Sequence, residues 1–342
     1  MAVDLAGMTQ IADPPVAGEP LEPEAVTGHG LAADPEALVG TVRSHTSVPS
    51  QLAGVIAVVV PPVVVVLAMG LLWDTAFHVE DLVAMLILYV LCGLGITVGW
   101  HRYFSHKSFE TSRAMRAVLA ILGSMAMQGP LTQWVTDHRK HHAFSDVEGD
   151  PHSPHAGFGD SLLGRFLGLW HAHWGWLFTT KGLERGHHYG RDLYEDPLIR
   201  WIDRLYLLWV LATVGIPFLI GYLVGGTALR GVETLVWAGL VRIFVWQHIT
   251  FSINSICHVF GARPFRTRDE SRDVKLLALV SFGESWHNGH HAFPASAVHG
   301  LAGKQIDLSA LVIRGMEKTG LAWDVRRPAA AQVDRRRAAS GS

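Results

Sequence analysis

Cysteine is nearly missing from this chain. Cys92 and Cys257 are the only two in 342 residues, and both sit in apolar surroundings. They make neither a disulfide framework nor a thiolate metal site. Charge is scarce as well: 17% of residues are charged, where soluble globular chains carry about 25%. That deficit points to a membrane protein. Acidic and basic residues nearly cancel, at a net charge of −2, so nothing in the chain as a whole argues for nucleic-acid binding. The first residues lack a basic stretch followed by an apolar one, so no secretory signal is expected. Residues 1–50, rich in Ala, Pro, Gly and Glu and without periodicity, are expected to form a disordered N-terminal arm.

Long apolar runs are what the chain has instead. A bilayer core takes about 20 apolar residues in a helix, and four runs qualify, at 52–73, 82–100, 205–224 and 235–253. Pro61-Pro62 predicts a kink in the first, and Pro217 lies inside the third. Short links near 74–81 and 225–233 join them into two hairpins. A shorter apolar run at 115–127 reads as an interfacial or re-entrant helix, or else as part of a cytoplasmic core. Twelve tryptophans fit membrane interfaces, where indole rings settle. Of the 28 Lys and Arg, 12 lie in residues 101–204 and 13 in residues 254–342; the others are Arg43, Arg230 and Arg242. Positive loops stay in the cytoplasm, which puts both of those segments and both termini there. The expected fold is an all-α integral membrane protein. Four transmembrane helices in two hairpins would carry a helical cytoplasmic cap, with residues 51–322 as the membrane domain. Residues 323–342, which include Arg335-Arg336-Arg337, are expected to be a basic disordered tail.

Histidine carries the chemistry. Eight of the twenty fall into three clusters of fixed spacing. His101 and His106 read HxxxxH, His138, His141 and His142 read HxxHH, and His287, His290 and His291 read HxxHH again. Neutral imidazole suits iron, zinc, copper and nickel. Eight imidazoles with no cysteine and no obvious carboxylate partner are too many for one zinc and suit two metal ions. Residues at i, i+3 and i+4 share a helix face, so each HxxHH is expected to aim three imidazoles at one point. The HxxxxH pair lies roughly 7.5 Å apart along an ideal helix axis. It does not share a face well, and would reach two different metals or sit across a helix end. His258 follows the fourth run as His101 follows the second, which makes it a candidate ninth ligand at the same depth. His152, His155, His187, His188 and His299 read as surface residues, and His171 and His173 as packed or supporting ones. His248, in a span that Arg242 and Gln247 also interrupt, reads as a hydrogen-bonded interior residue.

At these residues the chain resembles the membrane-bound fatty acid desaturases, in particular the acyl-CoA Δ9, stearoyl-CoA-type branch. The likeness runs from about Gly93 to Pro294. It rests on Gly99-Trp-His-Arg-Tyr-Phe-Ser-His106, Asp137-His-Arg-Lys-His-His142, Asp150-Pro-His152, Asn254-Ser-Ile-Cys-His258 and Trp286-His-Asn-Gly-His-His-Ala-Phe-Pro294. The resemblance implies a non-haem di-iron centre with His101, His106, His138, His141, His142, His258, His287, His290 and His291 as ligands, and Asn254 acting through a bound water. It implies that Trp134 and Thr250 hold the acyl chain in its bend, and Asp137 is carried over with them as a substrate contact. Ser285 stands where the family usually has glycine, and Thr136 where the animal enzymes have an arginine that contacts CoA. The acyl carrier is therefore open.

The resemblance implies an O2-dependent desaturase that makes a cis double bond, at Δ9, in a saturated C16–C18 acyl chain presented as acyl-CoA. Two ferrous ions and O2 are the implied cofactors. Electrons are expected from a separate ferredoxin-type protein, reductase or small haem protein. A di-iron fatty acid or hydrocarbon hydroxylase would use a similar site. A metal-transporting membrane protein would place its ligands near the middle of the spans, whereas these clusters lie outside them.

Overall fold

The computed structural model describes residues 78–179 and 186–338, together with the isolated positions 63, 66, 67 and 70. The arm at 1–50 lies outside the described residues. So does the first apolar run at 52–73, those four positions apart.

Helix α1, Val79–Leu94, opens where the Asp81 carboxylate accepts the His78 backbone N–H at 3.1 Å. Asp81 is fully buried and also receives Arg230 and Thr234. A buried charge persists when paired and hydrogen-bonded, and here it ties the head of α1 to a segment 149 residues away. The helix continues without a break as a π-helix, Gly95–Ser105. After strand β1, Glu110–Thr111, helix α2 spans Arg113–Ser124, capped by the Ser112 side chain on the Met115 N–H. Glycines bring α2 against the π-helix. A Cβ on Gly95 would lie 2.2 Å from the Gly123 nitrogen, and one on Gly123 would lie 2.2 Å from Trp100 Nε1. The apolar run at 115–127 is thus amphipathic: Leu119, Ala120 and Gly123 are buried against the chain's own central helix, and Val118 faces outward.

Helix α3, Leu131–Phe144, starts on the Asp203 carboxylate, which accepts the Leu131 and Thr132 N–H groups at 3.0 and 3.1 Å. Helix α4, Leu162–Trp170, buries Gly164 and Gly168 and leaves Leu162, Leu163, Phe166 and Trp170 exposed. Helices α5, Gly186–Glu195, and α6, Pro197–Arg204, pack beside α3. Helix α7, Tyr206–Gly225, keeps Leu207, Leu211, Leu219 and Leu223 on its open face.

Among the described residues two helices are long and apolar enough to cross a membrane: Val79–Ser105, which contains the expected run at 82–100, and α7, which matches 205–224. The expected fourth span, 235–253, is helical but is not among them. It lies within α8, Ala228–Thr234, a π-helical stretch, Leu235–Val241, and α9, Arg242–Ser255. Its polar side chains are held inside the protein. Arg242 is fully buried, donating to the Ala238 carbonyl at 2.9 Å and the Thr213 hydroxyl at 2.6 Å. His248 meets His173, Nδ1 to Nε2, at 2.9 Å, in line with an interior, hydrogen-bonded residue.

The last part of the chain corrects the expectation of a disordered tail. After the short helix α10, His287–Ala292, and α11, Leu308–Lys318, strand β2, Ala322–Trp323, pairs antiparallel with β1. Helix α12, Ala330–Arg336, then lies on α10. Arg336 donates to the Ala292 carbonyl and stacks over Phe293, while Ala338 bonds Pro264 at 2.9 Å. Val333 enters a small apolar cluster with Phe265 and Ala292. The arginine-rich composition suggested solvation, but these arginines find backbone acceptors and aromatic faces.

Candidate metal centre

The π-helix solves the HxxxxH spacing. Residues five apart on an α-helix lie about 140° apart around the axis, but a π turn closes i to i+5. The His106 N–H bonds the His101 carbonyl at 3.2 Å, and the two rings meet with centroids 5.0 Å apart. Both belong to one histidine group, with His106 capping the end of the π-helix, so of the two alternatives the pair does not divide between two groups.

The HxxHH helices behave differently from the expectation of three imidazoles on one point. Successive helical residues turn about 100°, so i+3 and i+4 fall on opposite sides of i. On α3, His138 and His142 join His101, His106 and His290 in one five-histidine group. His141 turns the other way and joins His258, His287 and His291 in a four-histidine group. On α10 the split is reversed: His287 and His291 stay together and His290 crosses. The nine histidines named from the sequence are therefore the nine that the fold gathers into these two groups.

Within each group the Nε2 atoms face inward. In the first, His106 meets His138 at 2.8 Å, His142 meets His290 at 2.9 Å and His101 meets His290 at 3.1 Å. In the second, His258 meets His287 at 3.0 Å and His141 meets His291 at 3.4 Å. The outward Nδ1 atoms of four rings donate to carboxylates. His141 bonds Asp150 at 3.0 Å, His258 bonds Asp146 at 2.8 Å, His291 bonds Asp269 at 2.8 Å, and His101 bonds Glu284. A proton held on Nδ1 leaves a lone pair on Nε2, so lone pairs converge, and a cation between them satisfies that arrangement. Burial, reinforced by neighbouring imidazoles, pushes His106, His138, His142, His287 and His290 well below the ordinary imidazole range. The neutral ring is the ligating form. The donor set fits two metal ions of the kind imidazole binds.

Asp146, Asp150, Asp269 and Glu284 were missed in the sequence. Asp150 offered a signal, standing two residues before His152, whose N–H bonds its carboxylate at 3.0 Å. The others come from remote loops. Asp146 adopts φ +64° just after α3, and its carboxylate also accepts the Glu270 N–H at 2.8 Å.

A pocket partly open to solvent runs beside both groups. Its walls include His101 and His138 of the first group, His141 and His287 of the second, and apolar Ile96, Trp246, Ile249 and Ile253. A profile described as fatty acid desaturase matches residues 81–302. The chain belongs to the fatty acid desaturase family. A hex-5-enoyl-acyl-carrier-protein acetylenase of Moorena producens (strain JHB) is 42% identical over 282 residues, 82% of this chain and 88% of that protein. Delta-9 acyl-lipid desaturase 1 of Arabidopsis thaliana is 40% identical over 252 residues, 72% and 75% of the two chains. An icosanoyl-CoA 5-desaturase of Limnanthes douglasii is 36% identical over 267 residues, 75% and 69%.

The remaining residues singled out from the sequence divide. Trp134, Thr250 and Asn254 line the cavity. Gln128 joins the first two, accepting from Trp134 Nε1 at 3.0 Å and donating to the Thr250 hydroxyl at 2.7 Å. Asp137 does not line it; its carboxylate accepts from Gln133 at 2.9 Å on the same helix. His152 and His299 are buried rather than on the surface. His152 stacks on His141 with centroids 4.4 Å apart, and His299 lies 4.3 Å from the His290 ring. Gly/Pro-rich context suggested exposure, but these loops fold over the histidine groups.

Proposed function

We propose that this family member is an O2-dependent acyl desaturase. It would set a cis double bond, at Δ9, into a saturated C16–C18 chain carried as acyl-CoA, with the nine histidines holding two iron ions. The observation that carries this reading is the apolar cavity walled by members of both histidine groups. Such a cavity would hold an unactivated methylene beside both ions. Two ferrous ions held there by the nine histidines would supply the power to break C–H bonds, consuming O2, two electrons and two protons and giving an alkene and two waters.

The chain's own residues do the rest. Ile96, Ile249 and Ile253 offer the acyl chain an apolar wall and keep water off it. A methylene has no polar handle, so regioselectivity must come from how far the bound head group lies from the histidines. Trp134 and Thr250, fixed to each other through Gln128, would hold the bend of the chain. Asn254, in the same wall as His287, would hold a water at the four-histidine group. We further propose four membrane spans with the histidines and both termini on the cytoplasmic side, where a separate electron-donor protein can reach them.

The test is expression in a desaturase-deficient host with lipid profiling and iron analysis of the purified protein. Monounsaturated acyl chains with about two irons per polypeptide, at four to five ligands each as usual for first-row metals, are expected. Hydroxy products would move the chain to the hydroxylases. An alkyne would move it to the reaction named for the Moorena relative. Purified enzyme offered acyl-CoA, acyl-carrier-protein and phospholipid substrates decides the carrier: turnover without CoA substrates would refute that part.

A further inference from the structure

The two histidine groups have unequal surroundings. In the four-histidine group, three of the four imidazoles donate to aspartates: His141 to Asp150, His258 to Asp146 and His291 to Asp269. All four histidines are buried. In the five-histidine group the carboxylate is Glu284, on His101. Its charge is shared with the fully buried Arg102, 3.1 Å away, which also pairs with Asp307 at 2.9 Å. One ring in each group, His290 here and His287 in the four-histidine group, has a buried Nδ1 with no hydrogen-bond partner, while His106, His138 and His142 are partly exposed.

We infer that the two ions are held unequally: through Asp146, Asp150 and Asp269, the four-histidine group keeps its ion after the five-histidine group has released its own. The inference rests on the di-iron reading. A carboxylate on Nδ1–H fixes the ring's orientation and tautomer and makes Nε2 a stronger donor. Three aspartate carboxylates also place negative charge close to where the cation would sit, and attraction of that kind strengthens away from water. Around the first group the Arg102 guanidinium offsets much of the Glu284 charge. The fifth imidazole acts in the opposite direction, as one additional donor. Against it stand three supporting carboxylates, each worth about 10–100-fold in metal affinity when removed from sites of this kind. Exposure adds a kinetic difference, since a chelator meets His106, His138 and His142 before it meets the buried group. Asp146, Asp150 and Asp269 are therefore positioning residues, acting on the ion through His258, His141 and His291.

Full-length protein loaded anaerobically with ferrous iron, then mixed with an excess of a coloured ferrous chelator, tests this. Iron should leave in two phases of equal amplitude, the first at least about tenfold faster than the second. His106→Ala should abolish the fast phase and leave the slow one. Asp269→Asn and Asp150→Asn should quicken the slow phase by about 10–100-fold and leave the fast phase as it was. A purely structural role would not move one phase alone. Release of both ions together from the wild-type protein, or loss of the slow phase in His106→Ala, would overturn the inference and leave the di-iron reading standing. Fewer than two irons per loaded chain would overturn both. The wild-type phases and His106→Ala decide the matter even where an aspartate variant fails to fold.

Discussion

Helices α3 and α10 spell the same motif and use it in opposite senses. The first sends two histidines to the five-histidine group and one across; the second sends one to that group and keeps two for the other. The residues between the histidines differ as well. On α3, Arg139 donates to the Phe104 carbonyl at 2.6 Å and the Ser105 carbonyl at 3.1 Å, and pairs with Asp192 at 2.7 Å. It fastens α3 to the π-helix that carries His101. On α10, Asn288 accepts the Phe265 N–H at 2.7 Å, and Gly289 lies so close to the His299 carbonyl that a Cβ would sit 2.4 Å from it. A helix of 14 residues holds itself and anchors others; one of six residues is held by its surroundings. HxxHH is thus a bracket across the two histidine groups, and its support depends on the length of the helix that bears it.

The comparison can be broken most severely at the two crossing histidines. His141→Ala should empty the four-histidine group and His290→Ala the five-histidine group, each leaving half the iron and no desaturation. Iron analysis with single-turnover assays checks this; equal loss of both ions in both variants would show that the bracket acts as one unit. Acid should come next. The five imidazoles held below their ordinary range bind fewer protons folded than unfolded, so the stability they contribute is present above about pH 6.5 and is lost as pH falls. His258 runs the other way: burial works to lower it, but Asp146 raises it. Five outnumber one, so unfolding temperature and bound iron should both fall below about pH 6.5. A flat profile down to pH 5 would contradict the burial of neutral rings.

Smaller effects separate the supports. Arg139→Ala removes charge-assisted bonds and should cost about 1.5–3 kcal/mol, measured by denaturation, with the five-histidine group weakened first. Gly289→Ala forces α10 away from His299 and should cost about 1–3 kcal/mol, with His287 and His291 displaced instead. Val333→Ala, on α12 above the Phe265 cluster, should be the mildest, at about 1 kcal/mol. If it proves the most damaging, α12 does more than cover α10.

The apolar runs at 82–100 and 205–224 were legible because a long hydrophobic helix needs no partner to declare itself. The nine histidines were legible because their spacing is local. Their division between two groups was not, since it depends on a π-helix at Gly95–Ser105 and on the crossing of α3 and α10. Asp146, Asp269 and Glu284 were hidden for a related reason: each meets its histidine over 22 to 183 residues of sequence, with no spacing to betray it. The fourth run reads less plainly as a span because it carries Arg242 and His248, which are polar and hydrogen-bonded within the protein.

The grip of Arg336 and Ala338 on Ala292 and Pro264 has a consequence for how the protein is made. A chain leaving the ribosome presents His101 and His138 early, but α10 finds its final cover only after residue 338 has emerged. Metal loading of the finished centre would then follow synthesis, so cells short of that metal would accumulate complete, empty protein rather than stalled fragments.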